Sequence, residues 1–199
     1  MDLCGRSLLK PADLSAGEFG FLVEEARRLR NNTANSLLVT AAVLGMDARI
    51  CAPAGLQPAA EVRAAAAGLA AASGARLLVT ADVTAGVTGA DFLYTDVWLS
   101  LGEPEDQWDA RIDQLLPYQV NATVMQASGN PAVKFLHCLP ALHNRDTGIG
   151  QQIYDKRGLE ALEVTDEVFE SSASVVFDQA ENRMHTIKAL MLATLGPRS

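Results

Sequence analysis

Three side chains with reactive or metal-binding atoms lie close together in the stretch KFLHCLPALHNRD, residues 134–146: His137, Cys138 and His143. Cys138 could be a nucleophile activated by a histidine, a metal ligand, or part of a substrate-binding turn. His137 is badly placed as a base for Cys138, because neighbours on a strand point to opposite faces. His143 could reach the thiol, but no glycine-rich oxyanion nest accompanies it, so a covalent role is disfavoured.

A metal site at the same three residues is also disfavoured. Structural zinc sites use four ligands at paired spacings, and this segment offers three ligands without such pairing. We therefore predict no metal and no cofactor. By composition alone, the simplest interpretation of Cys138 is a small buried hydrophobic residue, a setting that suits free cysteine.

A second polar segment, TDVWLSLGEPE at residues 95–105, shares one feature with HCLPALHNRD at residues 137–146. Each follows a continuous apolar run, 91–96 in one case and 133–138 in the other. In open α/β sheets, ligands bind beyond the carboxyl ends of the strands. These two segments are therefore where we expect the functional site.

Apolar runs alternate with helical patterns along the chain. Runs without polar alternation are typical of strands that are buried on both faces of a parallel sheet. The predicted fold is α/β, a doubly wound, mostly parallel, Rossmann-like sheet flanked by helices, with an N-terminal helix and a long C-terminal helix. The predicted strands are 48–52, 75–80, 91–96 and 133–138, and the predicted helices include 18–30, 31–46, 58–74, 103–116, 150–162 and 178–195.

Composition and charge restrict the class of protein further. With 199 residues, 49% hydrophobic, the chain can bury a proper core. A net charge of −8 argues against nucleic acid or an anionic membrane as the main partner. Cys4, Cys51 and Cys138 are too few for a disulfide framework. With no apolar signal segment and no apolar run of about 18 residues, a cytoplasmic protein is expected.

Four motifs in this order resemble the ornithine carbamoyltransferases: NNTANSLL, YTDVWLSLGE, FLHCLPA and VVFDQAENRMHTIKAL. The resemblance runs from about residue 31 to residue 196. It implies a transferase that moves the carbamoyl group of carbamoyl phosphate to the δ-amine of L-ornithine, giving citrulline and phosphate in arginine metabolism. The stretch that begins at Leu142 resembles the forms of the family with an insertion after His-Cys-Leu-Pro.

The resemblance also implies roles for particular residues on the ornithine side. Asn32 matches the asparagine that holds the ornithine backbone, and Asp96 matches the carboxylate that receives its α-amino group. Ser100 matches the serine beside that carboxylate. Leu101 stands where the family usually has methionine, which is a volume-conserving change.

On the carbamoyl phosphate side, the matched residues are Cys138, Leu139 and Arg183. Cys138 and Leu139 match the turn that lines both substrates, and Arg183 matches the arginine that contacts the carbamoyl group. Cys138 and Arg183 are thus the catalytic candidates by resemblance. Read without the family, Arg183 could equally form a surface ion pair with Glu181, which would contribute very little.

The chain also departs from the family pattern. Members have two α/β domains, and the first binds carbamoyl phosphate through Ser-Thr-Arg-Thr-Arg and His-Pro-x-Gln segments that this sequence does not contain. We expect residues 1–30 to be a helical remnant of that domain and residues 31–199 to be the ornithine-binding domain. A central strand precedes the two asparagines in the family, whereas ARRLR precedes them here. We therefore expect one long or kinked helix around Asn31 and a sheet with a central gap.

Three functional hypotheses follow. The chain is a carbamoyltransferase relative that binds ornithine, with carbamoyl phosphate binding weakened or lost and little or no turnover alone. It is instead an inactive amino-acid-binding or regulatory homologue that acts through a partner, as a homo-oligomer or with a full-length relative. The third hypothesis is a deletion product without a settled function.

Overall fold

The computed structural model describes residues 32–99 and 105–195. Strands and helices alternate along them. The strands are β1 (Asp47–Cys51), β2 (Arg76–Thr80), β3 (Phe92–Thr95) and β4 (Lys134–His137). The α-helices are α1 (Asn32–Val43), α2 (Ala60–Ser73), α3 (Val83–Val87), α4 (Trp108–Leu115), α5 (Ala122–Ala127), α6 (Gly148–Arg157), α7 (Asp166–Phe169) and α8 (Val176–Leu195).

All four strands pair in parallel, as the continuous apolar runs predict. β1 pairs with β2 in a register that matches Asp47 with Arg76. β3 pairs with β4, and Thr95 lies opposite His137 at the last pair. Parallel strands joined through helices confirm the predicted α/β class.

The strands form two two-stranded sheets rather than one continuous sheet. β1 pairs only with β2, and β3 only with β4, among the strands of residues 32–99 and 105–195. The expected gap between strands agrees with this division. The expected helix around Asn31 falls mostly outside the described residues, within which α1 begins at Asn32.

The chain divides into two compact units. The described part of the first consists of residues 32–46 and 58–75, where α1 packs against α2. The Ser73 hydroxyl donates a hydrogen bond to the carbonyl oxygen of Ala42, which fastens the two helices together. The second unit contains all four strands and every later helix.

The core of the second unit lies around β4. Phe135, at the middle of this strand, is fully buried. β4 has backbone on both edges, because Phe135 also exchanges hydrogen bonds with the segment 173–175. Neither β1 nor β2 contains a fully buried residue, so the expectation of burial on both faces holds least well there. The buried residues of the cluster around β4 are Val87, Leu93, Val120, Val133, Phe135, Val164, Val168, Phe169 and Val176. A second buried cluster of this unit consists of Trp98, Leu99, Ile112, Ile153 and Leu162.

Local sequence explains where several helices begin and end. Side chains of Asp82, Asn121 and Thr147 accept hydrogen bonds from backbone N–H groups at the starts of α3, α5 and α6. α2 ends at Gly74, whose φ of 79° favours glycine. The helices α3, α5 and α7 were not predicted, because four to six residues are too few to show a helical period.

Among the α8 side chains that the structure describes, the buried and half-buried ones lie in its first turn. Val176 is buried and Gln179 is half-buried, whereas every side chain from Ala180 to Ala189 is exposed. Within residues 32–99 and 105–195, no helix combines the length and the apolar character that crossing a bilayer requires.

Candidate functional site

The carboxyl ends of β3 and β4 bring Asp96 and Cys138 together. Thr95 lies opposite His137 at the last pair of the sheet. The residues that follow them, Asp96 and Cys138, therefore leave the two strands at the same level. The Cys138 thiol donates a hydrogen bond to Asp96 Oδ1 at 2.8 Å. The same oxygen accepts a hydrogen bond from the backbone N–H of Val97, also at 2.8 Å. Within the described residues, the other carboxylate oxygen, Oδ2, accepts no hydrogen bond.

The thiol of Cys138 stays protonated at neutral pH. Burial raises its pKa to about 11, and the hydrogen bond to Asp96 and the negative charge of that carboxylate act in the same direction. A thiol with such a pKa is a poor nucleophile and a poor metal ligand, because both roles require the thiolate. The geometry therefore favours a binding role for Cys138.

The residues after Cys138 form a tight turn. Leu139 has a φ of 49°, and the Leu139–Pro140 peptide bond is cis. A left-handed backbone costs a residue other than glycine on the order of 1–3 kcal/mol and persists only where its surroundings enforce it. One such restraint is the Leu139 N–H, which donates a hydrogen bond to His137 Nδ1 at 2.9 Å.

A buried histidine–glutamate pair supports this turn. His137 and Glu163 are 1% and 0% exposed, and 3.5 Å separates His137 Nε2 from Glu163 Oε1. Because Nδ1 accepts a hydrogen bond, a neutral ring carries its proton on Nε2, facing Glu163. Glu163 Oε1 also accepts a hydrogen bond from the Leu142 N–H at 2.7 Å. The pair thus connects both ends of the turn.

Sequence reasoning missed this pair. The prediction that His137 and Cys138 point in opposite directions is correct, but the partner of His137 was not foreseen. The available signal was a lone acidic residue, Glu163, inside the apolar run ALEV. A buried carboxyl group needs a partner, and a strand residue with an imidazole ring is a suitable one.

The first turns of α8 complete the site. The Gln179 side-chain oxygen accepts a hydrogen bond from the backbone N–H of His137 at 3.2 Å, and the Gln179 side chain lies near the Tyr94 hydroxyl. Burial and the neighbouring Cys138 raise the pKa of Tyr94, and the charge of Arg183 acts against that rise. Arg183 follows Gln179 by one helical turn, so it lies on the side of α8 nearest Tyr94.

Arg183 is exposed and does not pair with Glu181. Glu181 instead lies 3.6 Å from His185 Nε2, at helical spacing. No carboxylate of the described residues forms an ion pair with Arg183. Its guanidinium therefore remains available for an anionic ligand.

Three of the candidate residues cannot be placed relative to this cluster. Ser100 and Leu101 lie outside the described residues. Asn32 begins α1, but its side chain also lies outside what the structure describes. The candidates that the structure brings together are Asp96, Cys138 and Leu139, and the charge of Arg183 acts on the neighbouring Tyr94.

His143 is directed away from Cys138. Its Nδ1 lies 2.6 Å from Asp166 Oδ1, and its ring stacks on Phe169 at a centroid distance of 3.7 Å. His143, Asp166 and Glu170 are the residues whose ligand atoms, within 4.8 Å of one another, could hold a metal ion. Both carboxylates are exposed, and Asp166 already accepts a hydrogen bond from Asn144 at 3.1 Å. These contacts are those of a hydrogen-bonded surface cluster.

Comparison with known proteins agrees with the geometry of this site. The family model for the aspartate/ornithine carbamoyltransferase Asp/Orn-binding domain matches residues 27–194. The chain belongs to the aspartate/ornithine carbamoyltransferase family. The site described above therefore lies in the amino-acid-binding domain of a carbamoyltransferase relative, and the family resemblance of the sequence motifs is confirmed.

Individual carbamoyltransferases give the extent of the similarity. The catabolic ornithine carbamoyltransferase of Rhizobium meliloti (strain 1021) is 56% identical over 168 residues, which are 84% of this chain and 50% of that protein. The ornithine carbamoyltransferase of Staphylococcus aureus (strain Newman) is 54% identical over 167 residues, with the same shares covered. The solved enzyme of Pyrococcus furiosus has a TM-score of 0.68 at 35% identity, covering 83% of this chain and 47% of its own. The chain spans about half the length of these relatives.

Proposed function

We propose that this chain binds L-ornithine at the carboxyl ends of β3 and β4 and supplies the amino-acid half of a carbamoyl-transfer site. The observation that carries the proposal is the carboxylate of Asp96. Its Oδ1 accepts hydrogen bonds from Val97 and Cys138, whereas its Oδ2 accepts none from the described residues. An oriented carboxylate with one free oxygen is what an α-ammonium group requires.

Asn32, Ser100 and Leu101 complete the ornithine side of this proposal. The amide of Asn32 offers donors for the substrate carboxylate, and the Ser100 hydroxyl offers a further polar contact. Leu101 supplies an apolar surface for the methylene chain. An acidic substrate would require additional cations for its side chain, so ornithine fits this set of residues better than aspartate does.

In the proposed reaction, the δ-amine of ornithine attacks the carbonyl carbon of carbamoyl phosphate. A C–N bond forms, the C–O bond to phosphate breaks, phosphate leaves with the electron pair, and the amine loses one proton. Negative charge grows on the carbonyl oxygen and on the leaving group, so preorganised donors contribute most to the catalysis. Here Arg183 would supply donors, whereas the turn at Cys138 and Leu139 would line the substrates, since the Cys138 thiol and the Leu139 N–H already donate to Asp96 and His137.

The buried pair of His137 and Glu163 supports this turn in the proposal. It touches neither substrate, so its role is to position the residues that do. Leu139 keeps its left-handed backbone because its N–H is held by His137. Glu163 fixes the far end of the same turn through the Leu142 N–H.

Carbamoyl phosphate binding by this chain alone should be weak. Arg183 is the one family-matched cation for it, and the family's phosphate-binding segments do not occur in the 199 residues. The loss of one oxyanion donor lowers a rate on the order of 10²–10³-fold. We therefore expect weak or no turnover by the isolated chain, in a cytoplasmic setting. The alternative is a binding or regulatory homologue that acts with a partner.

Ligand-dependent thermal stabilisation tests the ornithine proposal. A ligand at 100 times its dissociation constant stabilises the folded state by about 2.7 kcal/mol. We expect L-ornithine to raise the melting temperature of the chain and L-aspartate to have no effect. The matched control is Asp155→Asn, which removes an exposed carboxylate on α6 and should keep the response. Asp96→Asn should abolish it, and an unchanged response in Asp96→Asn would overturn the proposal.

Citrulline formation tests the second half of the proposal separately. The purified chain is supplied with L-ornithine and carbamoyl phosphate, beside an Asp96→Ala variant. We expect no citrulline above that variant. If the chain forms citrulline at a substantial rate and Asp96→Ala abolishes this activity, the expectation of weak or no turnover is refuted. The ornithine-binding proposal would still stand. Turnover that appears only when a full-length relative is added would support the partner-dependent alternative.

A further inference from the structure

Gln179 joins the first turn of α8 to the end of β4. Its backbone N–H donates a hydrogen bond to the carbonyl oxygen of Val175 at 2.9 Å, as expected in the first turn of a helix. Its side chain is half-buried, and its Oε1 accepts a hydrogen bond from the His137 N–H at 3.2 Å. A side chain of the helix thus pairs with the backbone of the strand that leads into the site.

The edge of β4 explains why this acceptor is needed. Phe135 exchanges hydrogen bonds along that edge with the segment 173–175, and the His137 N–H, two residues later, points to the same edge. The next acceptor in a parallel ladder would be the Val175 carbonyl, but this carbonyl receives the Gln179 N–H within α8. Gln179 Oε1 takes its place. Without it a backbone donor at the end of β4 would lose its partner, at a cost in free energy.

His137 transmits this contact to the turn that follows. The thiol of its neighbour Cys138 donates a hydrogen bond to Asp96 Oδ1 at 2.8 Å. The ring of His137 accepts a hydrogen bond from the Leu139 N–H at 2.9 Å. A backbone that is held at residue 137 therefore keeps the next two residues at their partners. Loss of the acceptor on α8 should loosen both of these contacts.

The same glutamine relates α8 to β3. Because its amide oxygen accepts from His137, its remaining hydrogen-bonding groups are the donors on the amide nitrogen. The side chain lies near the hydroxyl of Tyr94, close to the carboxyl end of β3. Arg183 follows Gln179 by four residues, on the same side of α8. A contact that fixes the first turn of α8 on β4 therefore also fixes the backbone from which Arg183 extends.

We propose that Gln179 is a positioning residue, which fixes the first turn of α8 against the carboxyl end of β4 and keeps Cys138 in contact with Asp96. It acts through the backbone of His137 rather than on a substrate. Its effect on the Cys138 thiol is independent of the proposed function, whereas its effect on ornithine affinity rests on that function.

The rate at which iodoacetamide alkylates Cys138 is the first test, in a parent chain that carries Cys4→Ser and Cys51→Ser. Gln179→Met keeps the length of the side chain but removes the acceptor. We expect this variant to react about two- to tenfold faster than the parent chain, because the thiol is held less firmly on its carboxylate partner. The matched control is Gln151→Met, which alters an exposed glutamine on α6 and should leave the rate unchanged. Circular dichroism melts establish that the variants fold.

Two further variants of Gln179 test whether the acceptor carries the effect. Gln179→Glu keeps an oxygen at the same distance, and its negative charge can only raise the pKa of the Cys138 thiol, so alkylation should be no faster than in the parent chain. Gln179→Asn is too short to reach the His137 N–H and should react as fast as Gln179→Met, which it replaces if methionine prevents folding. An unchanged rate in the folded Met or Asn variant would overturn the proposal. A rate in Gln179→Glu as high as in Gln179→Met would overturn it as well.

Ornithine affinity separates this proposal from the proposed function. Where the parent chain binds L-ornithine, Gln179→Met should raise the dissociation constant about two- to tenfold, and Gln179→Glu should restore it. An unchanged dissociation constant in Gln179→Met would overturn the effect on ornithine. A parent chain that does not bind L-ornithine would contradict the proposed function instead, and the alkylation rates would still decide the role of Gln179.

Discussion

The two donors that the described residues direct at Asp96 both bind Oδ1 and leave Oδ2 without a hydrogen bond from them. Cys138 and the Val97 N–H both direct their hydrogens to Oδ1. A thiol is a weak donor, yet here it has a specific effect, because it occupies one lone pair and leaves Oδ2 to a ligand. The same contact keeps the thiol itself unreactive.

Replacing Asp96 should make Cys138 more reactive. In Asp96→Asn the negative charge beside the thiol is removed, so the pKa of Cys138 should fall below about 11, while burial still holds it above the ordinary 9.0. The pH dependence of the iodoacetamide rate measures this, in a chain that also carries Cys4→Ser and Cys51→Ser. An exposed-site control, Asp155→Asn, should leave the profile unchanged. An unshifted profile in Asp96→Asn would mean that the carboxylate does not act on the thiol.

The same pKa predicts a loss of stability at alkaline pH. The folded thiol keeps its proton up to about pH 11, whereas an unfolded thiol loses it near 9.0. The stabilisation is therefore complete below pH 9 and is lost as the pH rises from 9 to 11. Urea unfolding across this range should show a steeper decline for the natural chain than for Cys138→Ser. Parallel declines would contradict the prediction.

At the scale of elements, the turn between β4 and α6 depends on a glutamate without solvent contact. Glu163→Ala should lower the free energy of unfolding by about 1–3 kcal/mol, because it leaves the buried Leu142 N–H without an acceptor and removes the carboxylate that faces His137. Glu163→Gln keeps an acceptor for that N–H and should cost clearly less. Glu160→Gln, which alters only an exposed pair with Arg145, should change stability by less than about 1 kcal/mol. Chemical denaturation measures all three, and equal losses for Ala and Gln would contradict this account.

Two phenylalanines on neighbouring strands differ in burial. Replacing each by alanine therefore distinguishes the stability that comes from core packing from the stability that comes from strand preference. Phe135 on β4 is fully buried, whereas Phe92 on β3 is 61% exposed. Phe135→Ala should cost about 3–5 kcal/mol, since it opens a cavity in the core. Phe92→Ala should cost less than about 1 kcal/mol. Urea unfolding curves decide this, and similar losses would show that Phe92 contributes to a core beyond the described residues.

Local pattern accounts for the strands and long helices but not for their assembly. Continuous apolar runs predicted all four strands to within one residue at either end, and Gly74 marked the end of α2. The division into two sheets could not be derived from those runs, because pairing depends on which strand lies beside which. The pair of His137 and Glu163 was missed for the same reason, since its partners are far apart in sequence.

At the scale of the whole molecule, strands with one neighbour should open more readily than strands with two. β4 is flanked by β3 and by the segment 173–175, whereas β1 pairs only with β2 among the described residues. Hydrogen–deuterium exchange followed by mass spectrometry should show β1 exchanging before β4. Equal protection of the two strands would mean that β1 has a second partner, which the expected gap does not allow.

The family of the molecule was predictable only because sequence motifs identify it. Composition and charge argued against nucleic acid as the main partner but did not point to an amino acid. Asp96 and Cys138 belong to motifs that identify the family, and the sheet then explains physically why they meet. The exposure of large apolar side chains on α8, such as Met184 and Ile187, was not predicted, since in the sequence they resemble core residues.

The first turn of α8 carries its described buried and half-buried side chains, so a tilt of this helix would pivot there. Its anchor is the turn from Val176 to Gln179, and the helix extends about 24 Å beyond it. A tilt of about 10° at the anchor would move the tip by about 4 Å but would move Arg183, one turn away, by only about 1 Å. The distance between Arg183 and Tyr94 can therefore stay nearly constant while the far end of the helix moves. One helix can thus combine a large movement at its far end with a nearly fixed position of the arginine at the site.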